Sequence, residues 1–134
     1  MKYQILEHKA DLKIRAFGKN QEEVFSNLLY GMIEAMRPEL KEPEESSIKT
    51  IEVKSFDLPA LLVDFLSEAL YQIQADKEVF KDIQFDKITE TELKAKVIAK
   101  KVQGFGEEVK AVTHHDLEII KDNSTWRATV LFDI

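Results

Sequence analysis

The stretch Trp126-Arg127-Ala128-Thr129-Val130-Leu131-Phe132-Asp133-Ile134 ends the chain. Trp126, Ala128, Val130 and Phe132 fall on one side of an extended backbone. Arg127, Thr129, Leu131 and Asp133 fall on the other, because successive strand side chains point to opposite faces. An apolar face backed by a more polar one suits an antiparallel sheet that is buried on one side and wet on the other. The same period recurs upstream. Leu12, Ile14 and Ala16 alternate with Lys13 and Arg15; Ile51 and Val53 alternate with Glu52 and Lys54. Leu93, Ala95, Val97 and Ala99 alternate with Lys94, Lys96 and Lys100. Residues 79–88 and 112–120 read as further strands.

Two segments change period. Phe25, Leu28, Leu29, Met32 and Met36 repeat at helical spacing. Asn20 followed by Glu23 resembles a capping box, and Arg37-Pro38 ends the helix. Leu58, Leu61, Leu62, Phe65, Leu66, Ala69, Leu70 and Ile73 form the apolar face of a second helix. Asp57 is its expected N-cap, and Pro59 sits in its first turn, where a missing N–H costs nothing. Between the helices, residues 37–47 carry two prolines and many charges and read as a loop. The order is strand, strand, helix, strand, helix, then four strands. This predicts an α+β fold, mainly antiparallel, with both helices packed on one sheet face.

The chain has 134 residues, enough for one domain spanning 1–134 and a core that needs no staples. It has no cysteine, which excludes disulfides, thiolate nucleophiles and thiolate zinc sites. No apolar run reaches the length of a membrane span, and Met1-Lys2-Tyr3-Gln4-Ile5 opens as a strand with no signal peptide before it. A cytoplasmic protein without a membrane partner is expected. The net charge of -6 argues against nucleic-acid binding by bulk electrostatics. Lys94, Lys96 and Lys100, with Lys101 beside them, form either the wet face of a sheet or a docking stripe for RNA or an acidic protein. Most aromatics, Tyr71 among them, sit at core phases.

Three segments could carry chemistry: Glu7-His8-Lys9-Ala10-Asp11, Glu108 to His115, and Phe132-Asp133-Ile134. By strand alternation Asp11 and Asp133 both lie opposite the apolar face. If their strands pair, two carboxylates and a chain-terminal carboxylate crowd together. Hard oxygen donors of that kind suit Ca²⁺ or Mg²⁺. In the plainer reading Asp11 makes a turn and Asp133 is a solvated end residue. His8 either binds a ligand or hydrogen-bonds backbone. His114 and His115 point to opposite faces of a strand, so both cannot easily hold one metal. Lys110 either meets a phosphate or an acidic partner or is simply solvated.

Taken together, these segments resemble the archease family. The resemblance is carried by Glu7-His8-Lys9-Ala10-Asp11, by Gly18, by the helix Leu61–Tyr71, by Val109-Lys110-Ala111-Val112-Thr113-His114-His115, and by Asp133-Ile134. The family usually has threonine where this chain has Lys9, and tyrosine where it has His114. The resemblance implies a strand-helix-strand-strand fold with an inserted module. It also implies a non-enzymatic accessory protein that promotes guanylylation and turnover of a GTP-dependent tRNA-splicing RNA ligase. The ligase is then the protein partner, and tRNA is met only indirectly. The implied divalent-cation site (calcium or magnesium) uses Asp11, Asp133 and Ile134, the last through a main-chain or terminal oxygen. Lys110 and His8 match further functional positions. Two other readings are a chaperone or specificity modulator of a tRNA-modifying methyltransferase, and a stand-alone metal-dependent phosphohydrolase. Two-metal phosphohydrolase chemistry needs more Asp and His donors than these segments offer.

Overall fold

The computed structural model describes residues 1–7, 11–40 and 45–134. Its elements run β1 (Tyr3–Glu7), β2 (Asp11–Gly18), α1 (Gln21–Ala35), β3 (Pro38–Leu40), β4 (Ser46–Lys54), α2 (Leu58–Asp76), β5 (Glu78–Ile88), β6 (Glu92–Phe105), β7 (Ala111–Asp122) and β8 (Thr125–Asp133).

The expected α+β fold is present, and its strands divide over two antiparallel sheets. The first has the order β1-β2-β8-β7. Its strands come from the two ends of the chain, so β2, α1, β7 and β8 form the strand-helix-strand-strand unit, with β1 added at one edge. The intervening segment builds the second sheet, in which β4 and β5 both pair along β6 and β3 pairs with its far end. Strand alternation reveals that each strand has one dry face. It does not reveal which strands share a sheet, because that depends on pairing between distant segments.

Both helices start as the sequence predicts. The Glu23 N–H donates to Asn20 Oδ1 at 2.9 Å, and Glu23 Oε1 accepts from the Lys19 N–H at 3.1 Å. Asp57 Oδ1 accepts from the Ala60 N–H at 2.9 Å. Each cap satisfies a donor that the first helical turn leaves orphaned. Helix α1 packs on β1, β2 and β8 and also touches β5. Helix α2 packs against β7 of the first sheet and β4, β5 and β6 of the second. The rings of Phe25 and Phe65 lie 5.6 Å apart, and those of Phe65 and Phe85 6.1 Å apart. This aromatic series runs from the buried Phe25 and Phe65 out to the half-buried Phe85 and joins α1, α2 and β5. Such pairs add about 0.5–1.5 kcal/mol each beyond the area they bury.

The segment read as a loop contains β3 and the first residues of β4. Pro38 opens β3, a position at which a strand tolerates a missing N–H. The 14-residue β6 is longer than its β4 pairing, and its free end takes up Pro38–Leu40. At the end of β2 the chain turns sharply into α1. A Cβ on Gly18 would lie 2.6 Å from the Val24 nitrogen and 2.7 Å from Glu23 Cβ, so only glycine allows this approach.

Candidate functional site

The first sheet turns Leu12, Ile14, Ala16, Ala128, Val130 and Phe132 toward the helices, all buried. The other phase of the same strands makes the outer face. There Asp11 is the direct partner of Asp133, Lys13 of Leu131, Arg15 of Thr129 and Phe17 of Arg127. Asp133 is also paired with Ala111 on its other side. The Lys110 N–H donates to the Asp133 carbonyl at 2.7 Å. The fold therefore brings Asp11, Asp133 and Lys110, three residues singled out in the sequence, to one end of one sheet. Ile134 follows directly and is partly exposed. His8 lies outside the described residues, as do Lys9 and Ala10.

Opposed strand residues hold their Cβ atoms about 4.5–5.5 Å apart, and like charges so placed repel. Asp11 Oδ1 is buried and has no hydrogen-bond partner among the described residues. A buried carboxylate oxygen without a donor is costly unless something positive meets it. The donors on hand are hard oxygens, which fit Mg²⁺ or Ca²⁺. Among the described residues no group of three or more His, Cys, Asp or Glu comes together. Two facing carboxylates match the way Mg²⁺ is often held, with the remaining positions left to water and phosphate oxygens.

The histidines sit where alternation breaks down. Thr113 pairs with Leu131, but the next pair is Glu118 with Thr129, so four residues of β7 face one of β8. His114, His115, Asp116 and Leu117 form this bulge, and Asp116 takes φ 55°. Both histidines are exposed, and His115 Nε2 lies 3.7 Å from Asp116 Oδ2.

The lysine stripe on β6 is interleaved with acids. Lys94 lies 3.4 Å from Glu52, Lys96 3.7 Å from Asp86 and Lys101 3.8 Å from Glu78. Charge paired in this way makes a solvated face and little field for a polyanion. Tyr71, expected in the core, is 67% exposed, and Phe56 before α2 is exposed as well. Thr129 and Leu131 are buried although they belong to the outer face. Both lie on the central strand β8, flanked by β2 and β7, a position that becomes clear only once the strand order is known.

The model of the Archease protein family (MTH1598/TM1083) matches residues 3–134. This chain belongs to the archease family. The archease of Methanosarcina barkeri is 38% identical over 140 residues, covering 98% of this chain and 95% of that protein. The archease of Thermococcus kodakarensis is 34% identical and is covered, like this chain, to 99%. The solution structure of Methanobacterium thermoautotrophicum protein 1598 superposes with a TM-score of 0.73 at 27% identity, covering 98% of each chain. A Thermotoga maritima archease, called a possible chaperone, superposes with a TM-score of 0.71 at 21% identity, over 96% of this chain and 94% of that one. The fold is thus an archease fold. No helix among the described residues is long and apolar enough to cross a membrane.

Proposed function

We propose that this chain is an accessory protein that activates a GTP-dependent tRNA-splicing RNA ligase, promoting guanylylation of the ligase and its turnover. The observation that supports this reading is the direct pairing of Asp11 with Asp133, with a buried Asp11 oxygen lacking a donor and Lys110 tied to the Asp133 carbonyl. Asp11 and Asp133 would hold a divalent cation, Ca²⁺ or Mg²⁺, with an Ile134 main-chain oxygen alongside. When bound, such a cation neutralises and orients phosphoryl oxygens. The site stands on the outer face of a sheet, at the ends of its two central strands, where another protein's active site can reach it. Asp11 and Asp133 set the negative charge that faces the partner. Lys110, exposed and anchored by its own N–H, offers a cation to the partner's phosphate-bearing centre.

The test is single-turnover guanylylation of the cognate ligase, with wild-type protein, Asp11→Asn or Asp133→Asn. Stimulation by the wild type and its loss in both variants, each still unfolding cooperatively and no less stable than the wild type in EDTA, supports this role. Full stimulation by both variants excludes it.

A further inference from the structure

The outer face of the first sheet holds a second feature, two and four residues along β2 from Asp11. Lys13, Arg15, Asp116, Leu117, Glu118 and Thr129 line a cavity of about 340 Å³. We propose that this cavity binds a phosphate group carried by a nucleotide or by an RNA strand. The proposal rests on these side chains alone and stands whether or not the ligase reading is right.

Arg15 is already oriented. Its Nε donates to Thr129 Oγ1 at 3.1 Å, and Thr129 is only 4% exposed, so the donor sits on a fixed post. Neither Nη group has a partner among the described residues. This leaves the end of the guanidinium fork free for the paired contacts that suit a phosphate. Lys13 occupies the next outward position on the same strand, about 7 Å along it by strand geometry. It too has no ion pair among the described residues.

Of the two acids at the cavity, Glu118 is answered by a cation and Asp116 points to an exposed imidazole. Glu118 Oε1 lies 3.4 Å from Arg127 Nη2, and Asp116 lies beside His115. Arg127 also keeps a buried Nε with no acceptor among the described residues. Neither acid pairs with Lys13 or Arg15, so among the described residues both cations stand in the cavity without an ion-pair partner. The β7 bulge supplies one wall of the cavity through Asp116 and Leu117. This differs from the β6 stripe, where Lys94, Lys96 and Lys101 each have an acid within 4 Å.

The test follows the Arg15 and Arg127 Nε–H signals and the Thr129 amide by NMR. The full chain is titrated in EDTA with guanosine 5′-monophosphate, with guanosine, and with a short single-stranded RNA. Saturable shifts of these signals with the phosphate-bearing probes, and none with guanosine, are expected. Arg15→Gln and Lys13→Gln should each weaken binding about tenfold, the usual effect of losing one charge-assisted contact. Equal affinity for the mononucleotide and the RNA identifies a free nucleotide as the source. Binding of the RNA at least about tenfold tighter identifies a strand backbone. Silence with every probe, equal shifts with guanosine, or full affinity in both variants would overturn the proposal. The Lys13 side chain makes no hydrogen bond or ion pair among the described residues, so its variant keeps the test open if Arg15→Gln perturbs the sheet.

Discussion

Asp11 and Asp133 face each other directly across β2 and β8, and Asp11 Oδ1 is buried without a donor. Two carboxylates so placed repel, and a cation held between them would relieve the repulsion. Adding Mg²⁺ or Ca²⁺ to the wild type should therefore raise the melting temperature. At a hundredfold excess over Kd the gain is about 2.7 kcal/mol, or on the order of 10 °C for a chain this size. EDTA should reverse it. Asp11→Asn should show no cation-dependent gain and, in EDTA, melt slightly above the wild type because one repulsion is gone, an effect of about 0.5 kcal/mol. Thermal melts of both proteins in both buffers read this directly. An equal cation response in the variant would place the ion elsewhere.

Gly18 and Gly104 should respond oppositely to the same change. A methyl on Gly18 meets the Val24 nitrogen and Glu23 Cβ, both fixed by the start of α1. Gly18→Ala should cost about 2–3 kcal/mol in denaturant unfolding, as overpacking does. Nothing lies within 4 Å of a Cβ on Gly104, so Gly104→Ala should stay within about 0.5 kcal/mol of the wild type.

The sequence placed Asp11 and Asp133 on the outer phase of their strands because period-2 alternation is local and strong in Leu12–Ala16 and in Trp126–Phe132. Whether the two strands are neighbours is a long-range fact, and alternation is silent on it. The same limit hid the second sheet. Residues 38–40 looked like loop because proline and charge dominate there, yet the overhang of β6 recruits them into a strand. The extra residues at His114–Leu117 could not be found by period, since a bulge is a break in period. Arg15 and Lys13 were legible as outward residues of β2. That Thr129 would orient Arg15 required the β2–β8 register.

The buried end of β5 should impose a pH signature. Glu78 is 4% exposed and meets Lys49 Nζ at 2.5 Å; Lys49 also lies 2.6 Å from Asp76. Lys49→Met leaves the Glu78 carboxylate inside without its closest cation and should cost about 3 kcal/mol at neutral pH. The Asp76 carboxyl is held below its ordinary value, first by the hydrogen bond from Lys49 and then by its charge. Its contribution is full above the ordinary carboxylate value and is lost as pH falls through the lowered folded value. Lys49 is raised, first by its hydrogen bond to Asp76 and then by that to Glu78. Its contribution is full below the ordinary lysine value and is lost as pH rises through the raised one. The wild-type advantage over Lys49→Met should be flat between these limits and shrink beyond each. Melting temperatures of both proteins across the pH range test this.

Lys110 offers two separable contributions, a charge on an exposed side chain and an N–H on the Asp133 carbonyl at 2.7 Å. If the side chain serves the partner, Lys110→Ala should reduce ligase guanylylation about tenfold to a hundredfold. It should leave stability within about 0.5 kcal/mol, as exposed substitutions do. Lys110→Arg should retain part of the stimulation, since a cation remains, although a guanidinium replaces a point charge. Lys110→Pro also removes the donor to Asp133 and should cost a further 1 kcal/mol or so in stability. It should also weaken the cation-dependent rise in melting temperature, because the Asp133 end of β8 loses its tie to the segment before β7. Guanylylation rates and melting curves for the three variants separate the two roles. If Lys110→Ala stimulates fully while Lys110→Pro does not, the residue acts through its backbone and not through its charge.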